Sequence, residues 1–145
     1  MRTILLVEDN PDDEALTIRA LRKNNILNDL TVARDGAEPL DYLFPQDGSQ
    51  LPLPSLILLD LNLPKVSGLE VLRQIQASER TKLIPVVVLT SSKLDEDILA
   101  SYRGGANGYV RKPVNFSEFT KAVSTVGMFW LLLNEPVPDP SPTSE

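Results

Sequence analysis

The sequence contains no cysteine and no histidine. Without cysteine there is no disulfide framework, no thiol nucleophile and no thiolate metal site. Without histidine a Ser-His-Asp triad is excluded, as is a zinc site built on imidazole. Long apolar runs are missing too. The longest, 128–133, falls far below the roughly 20 residues a membrane span requires. The first apolar stretch, 4–7, is broken at once by Glu8 and Asp9, which does not fit a signal peptide. A soluble, cytoplasmic protein is expected. Basic charge is in deficit: 14 basic residues stand against 20 acidic ones, for a net charge of −6. A net acidic domain is a poor match for nucleic acid and suits a protein partner or a cation. Carboxylates, hydroxyls and lysine are what remains for chemistry.

What is present is an ordinary globular mix, 42% hydrophobic and 23% charged, in 145 residues, enough for one domain with one sizeable core. Short apolar runs alternate with helical patterns. Residues 3–7 read as a strand, and Asn10 caps a helix to about 24. In that helix Pro11 takes the first position and acids fill the first turn. Residues 30–33 form a second strand, and 36–44 a short helix with Pro39 near its start. A Pro- and Gly-rich loop covers 45–55. The wholly apolar runs 56–59 and 85–89 suit strands covered on both faces. Ser67 and Glu70 match a capping box that opens a helix to about 78. A further helix spans 93–103, a minimal strand 108–110, and a last helix 115–133 capped by Asn115. Five strands alternating with five helices predict an α/β fold, a parallel sheet with helices on both faces. Residues 1–133 form the domain. The tail 134–145 is rich in proline and is expected to be extended.

In such a sheet, ligands bind beyond the carboxyl ends of the strands. Glu8 and Asp9 follow the first strand, and Asp60, with Asn62 two residues on, follows the third. Thr90 ends the fourth, and Arg111, Lys112 and Pro113 follow the fifth. Each alone has an ordinary structural use: a cap, a turn, a solvated lysine. Together, carboxylates in one small site repel each other, and a hard divalent cation such as Mg²⁺ relieves that. A carboxylate beside such a cation can attack phosphorus, while a hydroxyl and an ammonium hold the phosphoryl oxygens. Phosphoryl transfer needs positioning and charge neutralisation, and this set supplies both.

These motifs resemble those of response-regulator receiver domains: Leu-Val-Glu8-Asp9-Asn-Pro, Leu-Leu-Asp60-Leu-Asn-Leu-Pro, Val-Leu-Thr90-Ser-Ser and Tyr-Val-Arg-Lys112-Pro113. The resemblance covers residues 2 to about 126. It implies the doubly wound, flavodoxin-like strand order 2-1-3-4-5. It also implies that Asp60 is the phosphoacceptor, and that Asp9, Asp60 and the Asn62 backbone carbonyl bind Mg²⁺ with Glu8 completing the acidic pair. Thr90 and Tyr109 would form the switch, Lys112 would contact the phosphoryl oxygens, and the Lys112–Pro113 bond would be cis. The donor would be a phosphohistidine of a sensor histidine kinase, and the protein would be no enzyme beyond its own phosphoryl transfer and autodephosphorylation. A narrower resemblance, to the stand-alone regulators of cyanobacterial phytochromes, rests on Asn10-Pro-Asp-Asp13, the 45–55 loop, Leu61-Asn-Leu-Pro-Lys65, residues 97–102 and the Phe129-Trp130-Leu131 segment. It implies a red/far-red photoreceptor kinase as donor.

Residues 128–133 are six consecutive apolar residues, more than one helix face can bury. Phe129 and Trp130, with Tyr102 nearby, are therefore expected at a homodimer interface. Three rival readings remain open. An aspartate-nucleophile phosphatase normally has a second Asp where Asn62 stands. A flavin module would want an uncharged phosphate loop where Glu8 and Asp9 stand. A docking module that is never phosphorylated would not need the full acid, hydroxyl and lysine set.

Overall fold

The computed structural model describes residues 3–23, 29–48, 52–112, 115–135 and 138. Five strands form one parallel sheet: β1 (Thr3–Val7), β2 (Asp29–Ala33), β3 (Leu56–Leu59), β4 (Val86–Thr90) and β5 (Gly108–Arg111), in the order β2-β1-β3-β4-β5. The intervening helices are α1 (Pro11–Lys23), α2 (Glu38–Leu43), α3 (Gly68–Ala77), α4 (Asp95–Arg103) and α5 (Phe116–Gly127). The expected order 2-1-3-4-5 is the observed one.

The central strands read as apolar throughout because both their faces are covered. Alternate residues feed two cores. Ile4, Leu6, Leu56, Leu58, Val87 and Leu89 pack with Ala20 and Leu21 of α1 and with Phe119 and Val123 of α5. Leu5, Val7, Ile57, Leu59, Val86 and Val88 face the other way, onto Leu43 of α2 and Val71, Leu72 and Ile75 of α3. Each such side chain, fully buried, contributes about 1.5–3 kcal/mol. The edge strand β2 is only half-buried, which explains its weaker apolar signal.

Three element expectations are corrected. The short helix starts at Glu38, not Gly36. The Asp35 carboxylate takes up the first helical amides, Ala37 N and Glu38 N, at 2.8 and 2.9 Å, while Gly36 N donates to Pro64 O at 3.0 Å. The helix expected from 93 starts at Asp95, because Ser92 Oγ accepts from Leu94 N and donates to the Asp97 carboxylate. The last helix is not one α-helix: after Gly127 it widens into a π-helical turn, Met128–Leu133, in which Asn134 N donates to Phe129 O. Its buried residues, Phe119, Val123, Gly127 and Leu131, recur every four residues. At about 100° per residue, an α-helix would carry that row about 40° further round at each step. The wider turn recovers part of that drift and brings Leu131 into the core. The Ser67 cap forms, its hydroxyl accepting from Glu70 N at 3.2 Å. The reciprocal half of the box does not, because the Glu70 carboxylate is taken by Arg73 and Gln74.

Candidate phosphoryl and metal site

The site lies at the carboxyl ends of β1, β3, β4 and β5. Parallel pairing aligns those ends: Asp60 N donates to Val7 O at 3.1 Å, and Lys112 N to Thr90 O at 2.7 Å. Glu8 and Asp60 are buried, at 1% and 6% exposure, and Asp9 is exposed. Carboxylate oxygens of Glu8, Asp9 and Asp60 lie within 4.8 Å of one another. Hard oxygen donors gathered at that spacing fit a divalent cation of the Mg²⁺ or Mn²⁺ class.

Lys112 is the counter-charge. Its ammonium lies 2.7 Å from Glu8 Oε1, 2.9 Å from Asp13 Oδ2 and 3.0 Å from Asp60 Oδ2. Burial works against this ammonium, but its carboxylate partners outweigh burial and hold its pKa well above the usual lysine value. Burial pushes the Glu8 carboxyl up to about 7, with Lys112 pulling the other way and the charge of Asp60 adding to the rise. Asn10 N also donates to Glu8 Oε2 at 3.1 Å, so the chain turns into α1 over the buried acid.

The loop after β3 is tightly held. Asn62 N donates to Asp60 Oδ1 at 3.3 Å. Lys65 has φ 71°, and Val66 N donates across it to Pro64 O at 2.8 Å, a rare γ-turn that costs backbone energy. The Lys65 ammonium, 3.2 Å from Asp35, ties this turn to the loop after β2. Gly68 then brings α3 against the Asp60 backbone: a Cβ built there would sit 2.2 Å from Asp60 O.

Thr90 is fully buried, and among the described residues its hydroxyl accepts only a long bond, 3.4 Å, from Ser92 N. The Tyr109 hydroxyl donates to Ser92 O at 3.0 Å, so the two expected switch residues meet at Ser92. Burial raises the Tyr109 phenol above its usual pKa, with the bond to Ser92 opposing.

The structure therefore brings together Glu8, Asp9, Asp60, Asn62, Thr90, Tyr109 and Lys112. Pro113, with its expected cis bond, lies outside the described residues. The interface candidates lie elsewhere: Tyr102 on α4 and Phe129 and Trp130 on the π-helical turn. Phe129 is 47% exposed, whereas Trp130 is half-buried against the α1–α5 core, with its ring edge-on to Phe129 at 5.1 Å. Asp13 was missed as a site residue. Its position in an acidic first helical turn reads as dipole stabilisation. The available signal was that helical Cβ atoms tilt toward the N-terminus, which here faces the site.

Comparison with known proteins places the chain in a family. The family profile of the response regulator receiver domain matches residues 4–124. The probable methanogenesis regulatory protein FilR2 of Methanothrix harundinacea is 44% identical over 128 residues, 88% of this chain and 83% of its own. The response regulator Rcp1 of Synechocystis is 42% identical over 131 residues, 90% of this chain and 89% of its own. The crystal structure of its Mn²⁺-bound form superposes with a TM-score of 0.89 at 40% identity, covering 94% of this chain and 99% of that one. The phosphorylated cyanobacterial phytochrome response regulator RcpA superposes with a TM-score of 0.87 at 38% identity, covering 95% and 99%.

Proposed function

The chain belongs to the response-regulator receiver family, and on that premise we propose that Asp60 is the phosphoacceptor of a two-component relay. A carboxylate oxygen of Asp60 attacks the phosphorus of a phosphohistidine on a partner histidine kinase. The P–N bond breaks, its electron pair leaves on the imidazole nitrogen, and that nitrogen takes up a proton. One observation carries the reading: the buried Lys112 ammonium stands 3.0 Å from Asp60 Oδ2, where an incoming phosphoryl oxygen needs positive charge.

Asp9, Asp60 and the backbone carbonyl of Asn62, with Glu8 beside them, would hold the divalent cation, and Mg²⁺ is the ion this oxygen set suits. When bound, the cation neutralises charge that gathers on the carboxylates and the phosphoryl oxygens. The Thr90 hydroxyl, which accepts only weakly from Ser92 N, donates its O–H to a phosphoryl oxygen, and Tyr109, held to Ser92 O, carries that shift to β5. The protein catalyses only its own phosphorylation and dephosphorylation.

The kinase is a phytochrome-type light sensor. FilR2 is named for methanogenesis regulation, so family membership alone does not choose the sensor. The likeness to RcpA supports the phytochrome reading, together with the Asn10-Pro-Asp-Asp13 motif. The receiver unit spans 1–133, followed by a Pro-rich tail, 134–145. It works in the cytoplasm through protein contacts, including a second copy met through the C-terminal helical region, and not through nucleic acid or membrane. Among the described residues no helix is long and apolar enough to cross a membrane.

The test is incubation with Mg²⁺ and acetyl phosphate, read by intact mass. The wild type is expected to gain one phosphoryl group and Asp60→Asn none. Equal labelling of Asp60→Asn, or sustained release of phosphate from small phosphomonoesters, would overturn the reading in favour of another acceptor or a phosphatase.

A further inference from the structure

We propose that Asp13 is a positioning residue of this site. It anchors the Lys112 ammonium beside Asp60 and keeps it there once Glu8 and Asp60 turn their oxygens to a cation. The proposal rests on the receiver reading above and deepens it.

An ammonium has three N–H donors. Lys112 donates to Asp13 Oδ2 and Asp60 Oδ2, at 2.9 and 3.0 Å, and its ammonium is ion-paired with Glu8 Oε1 at 2.7 Å. Two of these partners belong to the acidic group whose oxygens converge, while Asp13 does not. A cation held by that group repels the ammonium and draws on the charge of Glu8 and Asp60. Asp13 alone of the three then keeps its full charge for Lys112.

Asp13 is well mounted for this task. Its amide donates to Asn10 Oδ1 at 3.0 Å, and its carbonyl accepts from the hydroxyl of the fully buried Thr17 at 2.7 Å. Helix-dipole stabilisation explains an acid in this turn but not where the side chain goes. Glu14, next along, pairs with Arg34 at the surface. Asp13 instead reaches a lysine 99 positions away whose side chain is only 8% exposed.

The test uses Mn²⁺ as probe, with free ion read by electron paramagnetic resonance. In Asp13→Asn the unanchored ammonium leans on Glu8 and Asp60 and competes for them, so Mn²⁺ binding weakens about tenfold. In a Lys112→Met background the same substitution is expected to change binding less than about twofold, because the effect runs through Lys112. An equal loss in both backgrounds would mean that Asp13 acts on the ion directly and would overturn the proposal. So would no loss in the first. A second measurement needs no lysine variant. The Lys112 Nζ signal in ¹⁵N-lysine spectra is expected to stay protected from water in the Mg²⁺-saturated wild type and to vanish in Asp13→Asn. Equal protection in both would overturn the idea. Neither experiment uses a phosphodonor, so its failure is separate from failure of Asp60 labelling.

Discussion

Gly68 shows how much one atom can matter beside the acceptor. A Cβ at this position would meet Asp60 O at 2.2 Å and Leu61 Cα at 2.6 Å, both backbone atoms that no rotamer change can move. The Gly68 amide meanwhile donates to Leu61 O at 2.9 Å, which locks the approach. Gly68→Ala is therefore expected to lower stability by about 1–3 kcal/mol, as overpacking does. Urea denaturation reads the loss, and slower labelling at Asp60 should accompany it. A variant as stable as wild type would mean that α3 can slide off the acceptor loop. The contrast with the acids is instructive. Glu8, Asp9, Asp60, Thr90 and Lys112 were legible because each follows an apolar strand, and parallel pairing brings such ends together. Gly68 and Asp13 were not, because what defines them is a contact with a residue distant in the sequence.

At the scale of elements, the strands were legible from apolar runs, and the helix starts were legible only where the cap is local. Asn10, Ser67 and Asn115 cap as read, each within three residues of the amides that donate to it. At α2 the flanking residue is Ala37, which has no capping side chain; Asp35, further back, accepts from the Ala37 and Glu38 amides and is paired with Lys65 of another loop, a long-range contact no local pattern reveals. The π-helical turn was missed because it answers to the position of the core and not to propensity. Within α3 the Glu70 carboxylate trades its expected capping role for Arg73 and Gln74. Arg73, followed by Gln74, pulls its pKa down to about 2 from an ordinary 4.5. A depressed carboxyl stabilises the folded state above the unfolded pKa and loses that contribution as pH falls toward the folded value. Glu70→Gln should thus be less stable than wild type at neutral pH, and the difference should shrink steadily below about pH 4.5. Urea midpoints of the pair at several pH values read it. A difference that stays constant down to pH 3 would mean that Glu70 is not charge-paired in solution.

Seen as a whole, the molecule has a polar edge, where four strand ends meet, and an apolar corner, where the last helix runs out. The sheet organises the first, and the inward side of the second completes one of the two cores. Leu131 is buried and Trp130 half-buried, so the inward side of the π-helical turn is satisfied. Phe129, Leu132 and Leu133 remain 47%, 56% and 73% exposed. Three neighbouring apolar side chains in water form the kind of patch that marks an interface. Because Trp130 belongs partly to the core, Trp130→Ala would confuse lost folding with lost pairing. Phe129 separates the two better, since it is 47% exposed and its ring meets Trp130 edge-on. The double substitution Phe129→Ser, Leu133→Ser should therefore leave the thermal midpoint within a few degrees of wild type. Light scattering should show the molar mass falling from two chains to one. If the wild type already scatters as a single chain, or the variant keeps the mass of a pair, the exposed corner is not where copies meet. The apolar surface would then be free for the kinase or for a downstream protein that reads the state of Asp60.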